Sequence, residues 1–280
     1  MDLRASPLDA ARIVADATIF RLKKREMGNL VTSTTLAFAL GLPLLDVGHR
    51  LVFGAVLNAF VYLVNDLFDV EIDVRAEGRD VARTRFLAEH VAAGWLGAVG
   101  LLAIAAAVAA LHGKGLLVVL AANTVVIVLY SRWLKRHPGV DILAMATWGT
   151  TMALVGCPLD HRVGLRLVGL LALLCMVTEG VQVIRDAETD ARAGLRTTAV
   201  VFGVGLTAAT TRVLIVASAA YTTLYLHAFL GPVLLVGLLW PLTPATASRT
   251  WDLLRGLFGA TWLGLLAYLR VVGHLRPLLP

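Results

Sequence analysis

Charge is scarce in this chain and cysteine scarcer: charged residues make up 16% of 280 positions, and there are two cysteines. Cys157 and Cys175 lie near or within apolar runs and form no metal-ligand spacing, which argues against a disulfide framework and makes both packing residues. The seven histidines, among them His112, His137 and His161, sit mostly in turns and form no ligand pattern either. Also missing is any Ser/Gly-rich linker or break in composition, so residues 1–280 read as one domain.

Hydrocarbon fills the chain instead. Hydrophobic residues make up 58%, and the mean hydropathy of +0.79 is far above that of a soluble domain. Apolar runs recur at 30–45, 51–64, 91–111, 116–134, 142–157, 165–184, 204–226, 229–240 and 253–272. Several reach the roughly 20 residues that a helix needs to cross a bilayer. The expected fold is all-α, a polytopic membrane bundle of about nine transmembrane helices around a central cavity. The runs 51–64 and 229–240 are short; the first reaches full length if its helix continues through the polar residues that follow. Small residues at 103–110 allow close helix packing, and Gly and Pro at 111–115 and 137–139 mark turns.

Basic residues set the orientation. Arg21, Lys23, Lys24 and Arg25 precede the first span; Arg75, Arg79, Arg83 and Arg85 follow the second, Arg132, Lys135 and Arg136 the fourth, Arg185, Arg192 and Arg196 the sixth. The other side holds only scattered charges such as Arg50, Lys114, Arg162 and Arg166, so the positive-inside rule puts the N-terminus in the cytoplasm. A net charge of +6 therefore requires no nucleic-acid partner; it sets topology and can neutralise an anionic substrate or lipid headgroups. About 20 residues precede the first apolar run, which suits a first transmembrane helix better than a cleaved signal peptide, and no processing is expected.

Two copies of one acidic pattern follow directly on apolar runs. The first is Asn65-x-x-x-Asp69-x-Glu71-x-Asp73-x-Arg75-Ala76-x-x-Arg79, the second Gln182-x-x-x-Asp186-x-Glu188-x-Asp190-x-Arg192-Ala193-x-x-Arg196. Helical positions i, i+4 and i+8 drift by only about 40° per step, so each copy aims an amide and two carboxylates along one stripe, in the cytoplasm by the same charge rule. Glu71 and Glu188 point roughly 160–200° away and read as solvated or arginine-paired. Two facing stripes make a cluster of four carboxylates, which repel one another unless hard divalent cations with a preference for oxygen sit between them. Magnesium holding a phosphate-bearing substrate follows from that chemistry. Asp66 and Asp69 interrupt an apolar run, where an ionisable group costs about 2.5–3.5 kcal/mol, and this favours a functional site over a solvated helix end.

The string Asn65-Asp66-Leu67-Phe68-Asp69-Val70-Glu71-Ile72-Asp73 resembles the first aspartate-rich motif of the UbiA family of intramembrane prenyltransferases. Arg185-Asp186-Ala187-Glu188-Thr189-Asp190-Ala191-Arg192-Ala193-Gly194 resembles their second. Gly194-x-x-Thr197-x-x-Val200-x-x-Gly203, Tyr130-Ser131-x-x-Leu134-Lys135-Arg136 and Phe20-Arg21-Leu22 agree with other family segments, so the likeness runs over about residues 18–205. One departure is Arg85-Phe86-Leu87 where many members have Arg-Pro-Leu, which bears on the loop after the first motif.

The resemblance implies a mechanism. Asn65, Asp69, Asp73, Asp186 and Asp190 hold two magnesium ions that bind an isoprenyl diphosphate, with Asp66 beside them in the catalytic group. The allylic C–O bond breaks to a carbocation, and a small-molecule or lipid acceptor captures it. Arg79, Lys135 and Tyr130 are candidates to contact diphosphate, though the cations also serve topology and the tyrosine the interface. Arg21 is a candidate polar contact, Gln182 stands where the first motif has Asn65, and Tyr62, Phe68 and Trp148 are candidates to shield a cation through their ring faces. Two other reactions stay open within the same fold, terpene cyclisation and phosphoribosyl transfer to a polyprenyl phosphate. A transporter is the alternative from another class, although these acids cluster at one membrane face and not at midplane.

Overall fold

The computed structural model describes residues 6–24, 26–75 and 81–279. Arg25 and Arg79, named above, lie outside the described residues. Among the described residues eleven α-helices follow one another: α1 (Pro7–Lys23), α2 (Gly28–Ala39), α3 (Leu44–Arg75), α4 (Val81–Glu89), α5 (Val91–His112), α6 (Lys114–Arg132), α7 (Val140–Ala153), α8 (Arg162–Arg192), α9 (Thr198–Phe202), α10 (Val204–Tyr225) and α11 (Pro244–Val272). Three 3-10 segments, Leu134–Arg136, Leu154–Gly156 and Pro232–Leu239, join them. The expected all-α architecture is the one observed.

Five of these helices are long and apolar enough to cross a membrane: Leu44–Val74, Val91–His112, Lys114–Arg132, Arg162–Arg192 and Val204–Tyr225, with Val140–Gly156 a shorter apolar segment. The other expected spans take different forms. Run 30–45 is divided between α2 and the start of α3, because Gly41 adopts φ 73° and Pro43 follows two residues later; a left-handed glycine and a proline together stop a helix. Run 229–240 becomes the 3-10 segment Pro232–Leu239. Run 253–272 belongs to the 29-residue α11, which begins earlier with a Thr243/Thr246 capping box and Pro244, and carries Arg249, Asp252 and Arg255. Run 51–64 does continue through its acidic motif, as α3 ends at Arg75.

The bundle has two halves, each built on one of the long motif-bearing helices. Helix α3 packs against α1, α2, α5 and α6, burying Phe53, Leu57, Leu63 and Ile127 in one apolar cluster. Helix α8 packs against α7, α10 and α11, burying Leu167, Leu170, Ile184 and Ile215 in the other. Helix α7 joins them, with Trp148 and Met152 in the first cluster and Ala153 in the second. Buried polar clasps lock the seam. Thr151 Oγ1 donates to Asn123 Oδ1 at 3.0 Å. Arg50, 7% exposed, donates to Asp46 and to the Val155 carbonyl, each at 2.8 Å.

Without a hydrophobic drive between helices in lipid, close backbone approach supplies much of the packing. The tightest instance is Gly156, where an added Cβ would fall on the Ser33 backbone. Gly156→Ala is expected to lower stability by about 1–3 kcal/mol, the range for overpacking that backbone must absorb. Thermal unfolding in detergent checks this, with Gly100→Ala, which meets open space, as the control.

Candidate active site

The two acidic motifs open onto one cavity of about 2090 Å³. Asn65, Asp66, Asp69 and Asp73 line it from α3, and Glu179, Gln182, Asp186 and Asp190 from α8. Neither Glu71 nor Glu188 lines it; both are exposed, and Glu188 meets Arg192 at 3.7 Å. The expected helical stripes therefore separate inward from outward acids as geometry requires.

In the first motif, Asn65 Nδ2 donates to Asp69 Oδ2 at 3.2 Å, and Ser131 Oγ to Asn65 Oδ1 at 3.2 Å. The ammonium of Lys135, in the 3-10 segment after α6, pairs with the other Asp69 oxygen. Burial pulls the Lys135 pKa down to about 8, Arg136 pushes the same way and Asp190 opposes; the contact with Asp69 also favours the ammonium. Asp66, only 4% exposed, accepts from Arg21 Nη2 at 2.5 Å and from Arg83 Nη1 at 2.7 Å. Both its oxygens are thus committed to holding arginines at the cavity wall. Arg21 also donates to Glu26 at 2.6 Å and lies 4.4 Å from the Tyr62 ring. Burial disfavours its charge, but Asp66 and Glu26 more than compensate, and its pKa rises.

In the second motif, Arg185 grips Asp186 through two hydrogen bonds of 2.8 Å, and Thr197 donates to Asp190 at 3.1 Å. Gln182 turns its amide to Glu179, Nε2 to Oε1, at 2.9 Å. The segment after the motif is tied to α7 through Asp141, 3% exposed, which accepts from the Thr198 amide at 2.7 Å and from the Thr198 hydroxyl. Asp141→Ala removes these bonds and is expected to cost about 1.5–3 kcal/mol. The same variant should slow turnover through misplacement of Asp190, measurable as a lower kcat beside a lowered Tm.

Of the other sequence candidates, Tyr62, Tyr130 and Trp148 line the cavity, with Tyr62 edge-on to Trp148 at 5.8 Å between centroids. Phe68 does not. It lies edge-on to Trp95 of α5 at 5.5 Å, because one residue before Asp69 turns it about 100° away from the stripe. Residues absent from the sequence reading also reach the site. Glu179, Glu26, Trp251 and Arg255 line the cavity, and Arg83, first read only as a topology charge, arrives on α4. Glu179 had a signal, a lone acid inside an apolar run. At the Arg85-Phe86-Leu87 departure, α4 is continuous, Leu87 is 4% exposed and the Phe86 ring receives Arg12 at 3.9 Å.

Among the described residues, no three His, Cys, Asp or Glu side chains stand close enough to form a metal centre as they are. The donor set nonetheless suits magnesium: Asn65, Asp69, Asp73, Asp186 and Asp190 present oxygen ligands to one cavity, and oxygen is what hard cations take. Lys135 and Arg185 now supply positive charge at Asp69 and Asp186. A bound cation would take over that compensation.

A model of the UbiA prenyltransferase family matches residues 30–268, a stretch that contains both motifs and every helix from α3 to α10. The chain belongs to the UbiA prenyltransferase family. As a UbiA prenyltransferase it is 31% identical over 195 residues to the digeranylgeranylglyceryl phosphate synthase of Methanopyrus kandleri, covering 67% of this chain and 70% of that protein. A solved structure concerned with digeranylgeranylglyceryl phosphate synthase in membranes has the same fold, with a TM-score of 0.73 at 15% identity over 92% of this chain and 98% of that one. A UbiA homolog from Archaeoglobus fulgidus, bound to DMAPP and Mg2+, gives 0.66 at 20% identity over 87% and 97%. These two likenesses establish the UbiA fold, and with family membership they make the chain an integral membrane prenyltransferase.

Proposed function

We propose that this enzyme transfers an isoprenyl group from an isoprenyl diphosphate to an acceptor within the membrane, with magnesium as cofactor and diphosphate as the second product. The observation that carries the reading is the convergence of an amide and four carboxylates from two separate helices on one cavity whose deeper wall is apolar and aromatic. Asn65, Asp69, Asp73, Asp186 and Asp190 would hold the magnesium, which when bound neutralises diphosphate and favours its departure. Arg21, Lys135 and Arg185 add positive charge around the same anion, and Arg79 and Tyr130 are further candidate contacts. Asp66 orients Arg21 and Arg83. Tyr62 and Trp148 present ring faces and edges to the prenyl portion, where they stabilise developing allylic charge and keep water away.

The Archaeoglobus homolog bound to DMAPP and Mg2+, and to GPP and Mg2+, supports the donor class and the cofactor. The named Methanopyrus relative supports a lipid acceptor, while aromatic and other small acceptors remain in the panel to be tried. The concentration of basic residues at the motif end supports placing the N-terminus and cavity mouth in the cytoplasm, and the unbroken composition supports one domain, residues 1–280.

Incubating purified enzyme with geranyl and geranylgeranyl diphosphate, with and without acceptors, tests the reading. Magnesium-dependent prenylated acceptor plus diphosphate is the expected product pair. A cyclic hydrocarbon formed without acceptor would reassign the chain to cyclisation, and transfer only from a phosphoribosyl diphosphate to the third reaction. Inertness towards all of these donors would remove the enzyme assignment.

A further inference from the structure

Glu179 is a carboxylate to which metal and diphosphate chemistry gives no task. It lies on α8 seven residues before Asp186, about 10 Å along the axis and only about 20° round from it. It therefore shares the Asp186–Asp190 stripe but sits two turns deeper, in a helix apolar enough to span the membrane. Its side chain lines the cavity, and its hydrogen-bond partner is the amide of Gln182. Among the described residues no ion pair holds it. Tyr62, Tyr130, Cys175, Met145 and Trp148 line the cavity with it. An ionisable group in such a span is costly, and a packing role needs no carboxylate.

We propose that Glu179 is the proton acceptor of the transfer step and that the acceptor's nucleophile is a hydroxyl. The inference rests on the donor reading above. The donor C1–O bond breaks and its electron pair leaves with diphosphate. A lone pair on the acceptor oxygen forms the new bond to C1, and the O–H proton passes to the Glu179 carboxylate, which releases it to water at the cavity mouth. Prenyl ether, diphosphate and one proton balance donor and alcohol. The choice of a hydroxyl follows from the geometry of a hydrogen bond: an O–H donates to a carboxylate oxygen, which aligns it before reaction and takes its proton as the new bond forms. Gln182 holds one carboxylate oxygen and leaves the other for that O–H.

The test separates donor ionisation from transfer. Geranylgeranyl diphosphate is supplied with magnesium, and with a monoalkylglyceryl phosphate or its O-methylated analogue as acceptor, to wild type, Glu179→Gln and Glu179→Asp. Ether should form only with the free hydroxyl. Glu179→Gln should lose transfer by about 10²–10⁴-fold, the usual worth of a positioned base, while its slow magnesium-dependent solvolysis of the donor stays within a few fold of wild type. Glu179→Asp should recover part of the transfer. Equal loss of solvolysis and transfer in Glu179→Gln would show a structural or donor-site role and overturn the proposal. Wild-type transfer by Glu179→Gln would overturn it too, as would a wild-type enzyme that solvolyses the donor but leaves the hydroxyl untouched. If the wild type released no diphosphate, the donor reading itself would fall, and the proposal with it.

Discussion

Asp69→Ala is expected to lower magnesium-dependent release of diphosphate from an isoprenyl diphosphate by about 10²–10³-fold or more, the loss that follows when one preorganised electrostatic contact leaves a reacting charge. Asp69 meets both Asn65 and Lys135. Alanine there removes a proposed metal ligand and leaves Lys135, 9% exposed, facing the cavity without that partner. Asp186→Ala should do comparable damage from the opposite wall. Glu71→Ala, one helical face away, should leave the rate within a factor of two. The measurement is steady-state diphosphate release against magnesium concentration, and survival of activity in both Asp69→Ala and Asp186→Ala would remove the site assignment.

The largest stability effect belongs to Asp66. Its carboxylate bridges α3 to Arg21 of α1 and Arg83 of α4, with arginine side chains only 16% exposed. Breaking such a buried pair from one side typically costs about 3–5 kcal/mol, because the remaining charges lose compensation without regaining water. Arg21 retains Glu26, which places Asp66→Ala near the lower end. Removing all three charges at once, as Arg21→Met, Asp66→Leu and Arg83→Met, should recover much of the stability while abolishing turnover. Thermal unfolding of the two variants in one detergent separates these outcomes: equal losses would mean that the charge network is not the cause.

How far the site was legible in sequence depended on whether geometry or neighbours decided each residue. Asp69, Asp73, Asp186 and Asp190 share a cavity because 3.6-residue periodicity alone aims them together, and the same rule turns Glu71, Glu188 and Phe68 elsewhere. Periodicity is silent on partners. That both oxygens of Asp66 are bound by arginine depends on how α1 and α4 fold back, and that Gln182 faces Glu179 depends on rotamers. The fold was readable in a similar way. The long run ending in the first motif became α3, but the divided 30–45 run and the 3-10 segment Pro232–Leu239 depend on local breaks such as Gly41 and Pro232, which hydropathy averages over. In α11, charged residues, with Arg255 at the cavity among them, mask a membrane-length helix in the hydropathy pattern.

The central claim is that two halves of the chain supply one divalent-metal site. Mn2+ serves as a spectroscopic stand-in, with its binding followed by electron paramagnetic resonance as geranyl diphosphate is added to wild type, Asp69→Ala/Asp73→Ala and Asp186→Ala/Asp190→Ala. One shared site predicts that donor-dependent Mn2+ binding disappears in both double variants. Wild-type Mn2+ binding retained by either one would show that a single motif suffices and would contradict the account.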